Sequence, residues 1–268
     1  MRISIVTPSY NQARFVERTI ESVLGQRGDF ELEYRVVDGG STDGTLDILK
    51  RYAGRLQYVS EKDNGPTDAI AKGFRAARGE IVAWLNSDDT YGDGALQRVA
   101  DAFKSAPEAQ WLCGKCRIVD VQDREIRKWI TAYKNFWLRR YSLRNLLILN
   151  FISQPAVFLR RSLVEEIGVP GDGCKLAFDY AYWLRIAQKY LPLVLNDYLA
   201  SFRAYPTSLG GANTSRQFKE ERDMAVKYNP GYRLVRPLHT LNCWASVSAY
   251  ALMRLLARSQ AAVPKDNP

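Results

Sequence analysis

Residues 1–90 alternate short apolar runs with segments of helical periodicity, and this alternation constrains the fold more than any other feature. Strands are predicted at 3–7, 34–37, 56–60 and 81–85, and helices at 15–24, 45–52 and 68–77. Such alternation is typical of a parallel sheet with helices on its faces. Ligands of open α/β sheets bind at the carboxyl ends of strands. Acidic or amide residues follow three of these strands, at Asp38, at Asp63 and Asn64, and at Asp88 and Asp89. The pattern therefore indicates a nucleotide cleft.

The run from Ile81 to Leu85 is apolar throughout, and it turns abruptly polar in the four residues from Asn86 to Asp89. Adjacent carboxylates at the end of a buried strand repel each other, and loss of water strengthens that repulsion. A bound divalent cation would relieve it, and carboxylate oxygens suit hard ions such as Mg²⁺ and Mn²⁺. The stretch fits a metal–diphosphate site. It fits a solvated turn with a helix cap equally well, because Asp and Asn are common in both.

Charge and composition narrow the class of protein. The chain has 268 residues and a formal net charge of +9, which favours nucleotides, nucleic acid or an anionic membrane surface as partners. The glycine-rich fingerprints of Rossmann dehydrogenases and P-loop enzymes do not occur in the sequence, which disfavours both classes. A strand-like run directly follows Met1-Arg2, so no secretory signal is expected, and no apolar run approaches the ~20 residues of a spanning helix. We expect a cytoplasmic protein that can also lie peripherally on the inner face of the membrane.

The four cysteines indicate neither a disulfide framework nor a zinc site. Cys113 and Cys116 match the C-x-x-C spacing, but the other two are isolated, and zinc normally needs a second close pair. A thioredoxin-like pair opens a helix, whereas residues 111–121 are predicted to form two short strands around a turn. His239 is the only histidine, which excludes a two-histidine zinc motif, and no Ser-His-Asp nucleophile is indicated.

Four ordered stretches resemble the nucleotide-binding half of a GT-A glycosyltransferase of family 2, namely ISIVTPSYNQ, VVDGGSTDGT, SEKDNGPTDAIAKGF and GEIVAWLNSDD. The resemblance covers roughly residues 2–205 and implies a Rossmann-like, mostly parallel mixed sheet flanked by helices. It implies that Asp38 contacts the nucleobase and that Asp88, at the end of the family's D-x-D motif, holds Mn²⁺ or Mg²⁺ on the diphosphate. Asn86 stands where that motif usually has an aspartate that contacts the ribose, and Asp89 could support the metal through water. The donor-binding residues implied in this half are Pro8, Ser9, Tyr10, Asp38, Gly40, Asp43, Asn64, Asp68, Asn86 and Ser87.

The second half of the chain carries the acceptor side of the same resemblance. Gln154 is expected to lie beside the donor sugar and the acceptor. Asp179 matches the family's catalytic base, and the apolar residue before it would raise its pKa, whereas the residues alone favour a helix cap. Arg203 is expected to neutralise the diphosphate. Tyr205 stands where the family often has a histidine near the metal, and it is a poor ligand. Residues 208–215 are expected to form a mobile lid.

Residues 127–144 interleave cations with aromatic side chains. Such a mixture suits a membrane interface, a pyrophosphate-bearing lipid acceptor or single-stranded nucleic acid. The simpler interpretation, which we favour, is a surface helix whose aromatic side chains are buried and whose cations are solvated. Residues 234–258 are predicted to form an amphipathic membrane-surface helix or a helix that packs on the body or on a second subunit. Residues 259–268 are predicted to be disordered.

The sequence therefore predicts an α/β GT-A domain over residues 1–215, with a nucleotide-binding half (1–105) and an acceptor half (106–215), followed by a helical C-terminal extension (216–268). The predicted activity is inverting transfer of a sugar from a nucleotide sugar, most simply a UDP-sugar, to a hydroxyl of a saccharide or lipid-linked saccharide. This reaction would serve bacterial polysaccharide or glycoconjugate synthesis, without a nucleic acid partner. Two other classes stay open. One is a metal-dependent nucleotidyltransferase, which would release pyrophosphate; the other is a non-catalytic basic protein that binds membrane or nucleic acid.

Overall fold

The computed structural model describes residues 1–171 and 173–244. Its strands are β1 (Arg2–Ser9), β2 (Glu31–Asp38), β3 (Gln57–Ser60), β4 (Ile81–Trp84), β5 (Thr90–Tyr91), β6 (Trp111–Val119), β7 (Val157–Arg160) and β8 (Leu193–Arg203). Its helices are α1 (Val16–Leu24), α2 (Thr45–Arg51), α3 (Pro66–Ala76), α4 (Ala95–Ser105), α5 (Lys128–Leu138), α6 (Leu143–Ile148), α7 (Arg161–Ile167), α8 (Phe178–Ala187), α9 (Leu209–Ala212) and α10 (Thr214–Lys227), with a 3₁₀ turn at Gln154–Ala156. The strands and helices predicted for residues 1–90 are all confirmed.

The strands form one sheet in the order β3-β2-β1-β4-β7-β6-β8-β5. The first four are parallel, and β7 then runs antiparallel to both β4 and β6. Strand β8 is parallel to β6, and the short β5 is antiparallel to β8. The predicted mixed sheet flanked by helices is therefore confirmed, with its parallel part in the N-terminal half. This part brings the carboxyl ends of β1 to β4 to one edge.

Strand β4 lies in the middle of the sheet and is buried on both faces. Val82 and Trp84 contribute to the core on one face, with α3, α6 and α8. Ile81 and Ala83 contribute to the core on the other face, with α1 and α4. Successive side chains of a strand point to opposite faces, so a strand covered on both sides must be apolar at every position. This explains why the run reads as continuously hydrophobic.

A column of aromatic rings joins β4 to the second half of the molecule. The ring of Trp84 stacks on Trp183 of α8 with centroids 5.3 Å apart, and Trp183 stacks in turn on Trp111 of β6 at 5.9 Å. All three side chains are almost completely buried. Large aromatic side chains contribute much of the burial energy of a core, so this column fixes α8 against the end of β4.

The segment with the C-x-x-C spacing differs from the prediction. Cys113 and Cys116 lie in one continuous strand, β6, where two short strands around a turn were expected. The apparent turn at Gly114 and Lys115 is a local irregularity in the pairing of β6 with β8. A Cβ atom on Gly114 would lie 2.4 Å from Leu199 Cδ1, so glycine is needed here for close packing rather than for chain reversal. Both cysteines are buried and unbridged.

The basic and aromatic segment also differs from the favoured interpretation. Its first part is helix α5, on which Trp129, Tyr133 and Phe136 are exposed to 57%, 45% and 40%. Only the later aromatic residues, Trp137 and Tyr141, pack against the core. The expectation that the aromatic side chains are buried is therefore wrong for three of them, because they lie on the face of α5 that points away from β6.

The described part of the C-terminal extension packs on the body of the protein. Residues 235–244 are helical, and the buried His239 joins its Nδ1 to the carbonyl oxygen of Leu147 at 2.8 Å. The remaining predictions for the tail concern residues 245–268, which lie outside the described residues. Across the described chain, none of the helices has both the length and the apolar character needed to cross a bilayer.

Candidate active site

The parallel strands bring the predicted acidic residues to one edge of the sheet. Ser9 is in register with Asp38, and Asp38 is in register with Ser60. The chain leaves β4 at the same edge, where Leu85 donates its N–H to the carbonyl of Val6. Strand β1 separates β2 from β4, so the loops that follow these two strands begin about 10 Å apart. That spacing is suitable for the two ends of a nucleoside diphosphate.

The side chain of Asp38 is fully buried and organises the loop that follows β2. Its Oδ2 accepts hydrogen bonds from the N–H groups of Gly40 at 3.0 Å and Ser41 at 2.8 Å, and from Ser60 Oγ at 2.8 Å. Ser41 Oγ donates to Oδ1. Because the carboxylate is enclosed, Asp38 shapes the loop, and any contact with a nucleobase requires these serines to give way.

The glycines of this loop allow a close approach of neighbouring chain segments. A Cβ atom on Gly39 would lie 2.8 Å from the carboxylate of Asp63, and Gly40 has a left-handed backbone with φ of 84°. Other predicted donor residues here hold the loops together. Asp43 accepts from the N–H groups of Ala13 and Thr45, and Asp68 accepts from the main chain of Asn64 at 3.2 Å.

The three predicted donor residues at the end of β1 differ in exposure. Pro8 and Ser9 are buried where the strand ends, whereas the next side chain, Tyr10, is 62% exposed. The loop after β4 similarly presents one buried residue, Ser87, between the partly exposed Asn86 and Asp88. The side chains of Tyr10, Asn86 and Asp88 thus give the ends of β1 and β4 an accessible aromatic ring, amide and carboxylate.

Gln154 holds the loop after β4 by hydrogen bonds to Trp84 and Asn86. Its Nε2 donates to the carbonyl of Trp84 at 2.7 Å, and its Oε1 accepts from Asn86 Nδ2 at 3.0 Å. The side chain is buried, and both ends of its amide are bonded within the protein. Gln154 thus orients Asn86, and its position beside the donor sugar and the acceptor stays a prediction.

Asp88 and Asp89 have different surroundings. Asp88 Oδ2 accepts a hydrogen bond from the hydroxyl of Tyr205 at 2.8 Å. Asp89 is fully buried, and its Oδ1 accepts the N–H of Arg203 at 2.8 Å. Burial raises the pKa of both carboxyls, and for Asp89 the neighbouring charge of Asp88 raises the pKa further. Tyr205 is itself held by contact with the ring of Phe15, at 5.0 Å between centroids.

The guanidinium of Arg203 is engaged by groups within the protein, and its role in neutralising a diphosphate stays a prediction. Its guanidinium is buried, with Nε donating to the carbonyl of Asp88 at 2.8 Å and Nη1 to the carbonyl of Asp120 at 2.7 Å. Nη2 forms an ion pair with Asp123. The side chain therefore ties β8 to the loops after β4 and β6, because these loops present acceptors underneath the site.

Asp179 lies in the first turn of α8, next to the end of β4. The ring of Phe178, the residue before Asp179, lies 6.5 Å from the ring of Trp84. Trp84 is the last residue of β4 and stands two residues before Asn86. Burial raises the pKa of Asp179, in the predicted direction, while the N–H of Tyr180 and the charge of Lys134 on α5 act to lower it. The N-cap of α8 is Ala177, with no side-chain cap. A partly exposed carboxylate with a raised pKa at this position can serve as a general base.

Another acid, the buried Glu221 of α10, interacts electrostatically with Asp179 and was not predicted from the sequence. Its Oε1 accepts from Asn150 Nδ2 at 3.2 Å and from Gln217 Nε2 at 3.1 Å. Burial raises the pKa of Glu221 to about 7, and the negative charge of Asp179 contributes to this increase. No local signal distinguishes this residue, because it lies within a run of charged residues on a surface helix.

The donor set of the site decides whether it fits a divalent ion. Within the described part of the chain, no three His, Cys, Asp or Glu side chains come together as a ready-made cage. Mg²⁺ and similar ions are commonly held by one or two carboxylates plus substrate phosphates. The partly exposed Asp88 meets that requirement, so the residues present fit an ion whose other ligands come from a diphosphate and water.

The sequence of this chain is similar to those of known glycosyltransferases. The model of the family described as "Glycosyl transferase family 2" matches residues 4–168. A PGL/p-HBAD biosynthesis glycosyltransferase of Mycobacterium bovis is 29% identical over 260 residues, which is 93% of each chain. An uncharacterised glycosyltransferase of Nostoc sp. is 32% identical over 130 residues, which is 47% of this chain and 40% of that protein.

Two solved structures show the same fold. The TarS fragment 1–349 of S. aureus in complex with UDP-GlcNAc has a TM-score of 0.65 at 20% identity, over 85% of this chain and 66% of that one. The mannosyltransferase PcManGT of Pyrobaculum calidifontis, in complex with GDP-Man and Mn²⁺, has a TM-score of 0.66 at 21% identity, over 98% of this chain and 76% of that one.

Proposed function

Because this chain belongs to glycosyl transferase family 2, we propose that it transfers a sugar from a UDP-sugar to a hydroxyl of a saccharide or lipid-linked saccharide, with inversion at the anomeric carbon. The observation that supports the proposal is the contact of Trp84, at the end of β4, with Phe178, because Asp88 follows Trp84 by four residues and Asp179 directly follows Phe178. A UDP-sugar is proposed because TarS was solved with UDP-GlcNAc. The GDP-Man complex of PcManGT makes GDP-sugars the first alternative to test.

The nucleoside is proposed to bind across the ends of β1, β2 and β3. The exposed ring of Tyr10 would stack on the base, and the loop built around Asp38 would contact the base and ribose through its main chain at Gly40. Asp43, Asn64 and Asp68 keep the neighbouring loops in place. A rigid loop shaped in this way stabilises a bound ligand without ordering the chain at the moment of binding.

The diphosphate is proposed to lie over the loop after β4, with Asp88 as the protein ligand of a Mn²⁺ or Mg²⁺ ion and Asn86 beside the ribose. The ion, when bound, would offset the negative charge that develops on the leaving nucleotide. Gln154 holds Asn86 in position. The Asn86 amide and the Asp88 carboxylate thereby set the direction in which the leaving group departs.

The acceptor is proposed to enter beside Asp179. As the acceptor oxygen forms its bond to the anomeric carbon, the bond from that carbon to the diphosphate oxygen breaks, and the hydroxyl proton moves to Asp179. The raised pKa of Asp179, caused chiefly by burial, makes this carboxylate a better proton acceptor. Attack from the face opposite the nucleotide inverts the configuration in one displacement, and no covalent sugar–protein intermediate is required.

Two measurements test this proposal. A panel of UDP- and GDP-sugars, with and without Mn²⁺, should include one donor that raises the unfolding temperature, since ligands of the native state stabilise it by mass action. With that donor, Asp179→Asn should reduce transfer by about 10²- to 10⁴-fold while the donor-induced shift stays within error. Asp88→Asn should instead abolish the additional shift that Mn²⁺ produces. Transfer at wild-type rate by Asp179→Asn would show that Asp179 is not the base.

A further inference from the structure

We propose that the exposed face of α5 is a docking surface for anionic membranes, which brings the acceptor side of the site to the lipid. Trp129, Tyr133 and Phe136 form this face, which we call the α5 aromatic face. They are spaced by four and three residues, so they lie one above another along about 10 Å of helix. Their exposures of 57%, 45% and 40% amount to an apolar patch on the order of 300 Å², as large as the main interaction patch of many proteins.

The charge around this face selects an anionic partner. No Asp or Glu occurs between Glu125 and Glu165, a stretch that contains eight Lys and Arg residues. Among them, Lys128, Arg139 and Arg140 are exposed at the two ends of α5, and Arg140 lies over the ring of Phe136 with its Cζ 4.0 Å from the ring centroid. Cations that flank exposed Trp and Tyr side chains are the combination that binds the headgroup layer of an anionic bilayer.

The position of α5 relative to the candidate base indicates how a membrane-docking surface would serve the reaction. Lys134 projects from the inner side of the same helix, and its positive charge acts on Asp179 and Glu221. Helix α5 therefore separates the outer surface from the acceptor side of the site. If the acceptor is a lipid-linked saccharide, which rests on the function proposed above, its saccharide part would reach Asp179 while its lipid stays in the bilayer.

Co-sedimentation with vesicles tests the surface without donor or acceptor. The full chain should bind vesicles of phosphatidylcholine with about 30% phosphatidylglycerol, and should bind pure phosphatidylcholine far more weakly, with affinity falling as salt rises. The triple variants Trp129→Ser/Tyr133→Ser/Phe136→Ser and Arg139→Gln/Arg140→Gln/Arg144→Gln should each lose roughly 10- to 100-fold in affinity.

Two matched controls keep the test specific. Lys50→Gln/Arg51→Gln/Lys104→Gln removes the same charge from α2 and α4, which pack on the other face of the sheet, and it should bind vesicles within about two-fold of wild type. Tyr58→Ser/Leu191→Ser removes exposed apolar side chains elsewhere and should also bind normally. Circular dichroism and the unfolding temperature confirm that each variant is folded.

Three results would overturn the proposal. They are no vesicle binding by the wild type, equal loss in the control variants, and α5-dependent binding of single-stranded nucleic acid that exceeds vesicle binding. Because the assay contains no nucleotide sugar, its failure leaves the proposed function standing. Conversely, full transfer activity in Asp179→Asn would leave this surface unaffected.

Discussion

Replacement of Glu221 with glutamine should change how the stability of this protein depends on pH. The pKa of Glu221 is raised from 4.5 to about 7 in the native state, chiefly by burial. One pKa unit corresponds to about 1.4 kcal/mol, so the buried ionised carboxylate costs about 3 kcal/mol of folding free energy. The sign follows from the direction of the shift. The protonated Glu221 carboxyl stabilises the fold relative to the ionised form. This stabilisation is complete below pH 4.5 and is lost as the pH rises through the native pKa near 7.

Glu221→Gln removes this titration and keeps a side-chain oxygen that can accept from Asn150 and Gln217. The absolute stability of the variant also includes a constant offset from the new amide group. The informative quantity is therefore the free energy of unfolding of the variant minus that of the wild type. This difference should increase by about 2 to 3 kcal/mol between pH 5 and pH 8.

Urea unfolding followed by tryptophan fluorescence at several pH values measures this difference. The adjacent Glu220 provides a matched control, because Glu220→Gln makes the same chemical change. Burial alone would raise the pKa of Glu220, but the N–H groups of Lys175, Leu176 and Ala177 outweigh it, and its pKa is lowered. Both its native and unfolded forms are ionised at pH 5 and above, so the control should show a nearly constant loss of stability. A Glu221→Gln difference that changes by less than about 0.5 kcal/mol across the same range would refute the reasoning.

Two further substitutions separate the roles of residues beneath the site. Arg203→Ala should destabilise the fold by about 3 kcal/mol or more, because the buried carbonyl oxygens of Asp88 and Asp120 lose their hydrogen-bond donor. A variant of normal stability that binds the nucleotide sugar more weakly would instead support a role of Arg203 at the diphosphate. Tyr205→His should lower the Mn²⁺ concentration needed for half-maximal donor stabilisation by roughly 10-fold. The reason is that imidazole is a metal ligand, whereas the phenol occupies one oxygen of Asp88. An unchanged or higher concentration would show that residue 205 lies away from the ion.

The N-terminal half could be predicted from the sequence because its signals are local. A buried strand must be apolar on both faces, as β4 is, and parallel strands must end at one edge, which brings the loops after Asp38 and Leu85 together. The alternation of elements in residues 1–90 therefore specifies both the sheet and the location of its cleft. The boundary of the acceptor half carries no comparable repeat.

The directions of individual polar side chains could not be predicted, because they depend on partners far away in the sequence. Arg203 turns beneath the cleft because Asp120 and Asp123 offer acceptors there. Gln154 turns toward the loop after β4 because Asn86 and the carbonyl of Trp84 lie within reach. Likewise, the alternation of cations and aromatic residues in α5 indicates an unusual helix but does not show which of its faces meets β6.

Cys113 and Cys116 can report separately on the opening of the two apolar layers that cover the sheet. Cys113 belongs to the apolar layer on one side of the sheet and Cys116 to the layer on the other. Burial raises the pKa of both thiols, and only the thiolate reacts with alkylating agents. Each sulfur can therefore be modified only when its own layer separates from β6. In variants that retain only Cys113 or only Cys116 of the four cysteines, alkylation rates would reveal which side of the sheet loosens first.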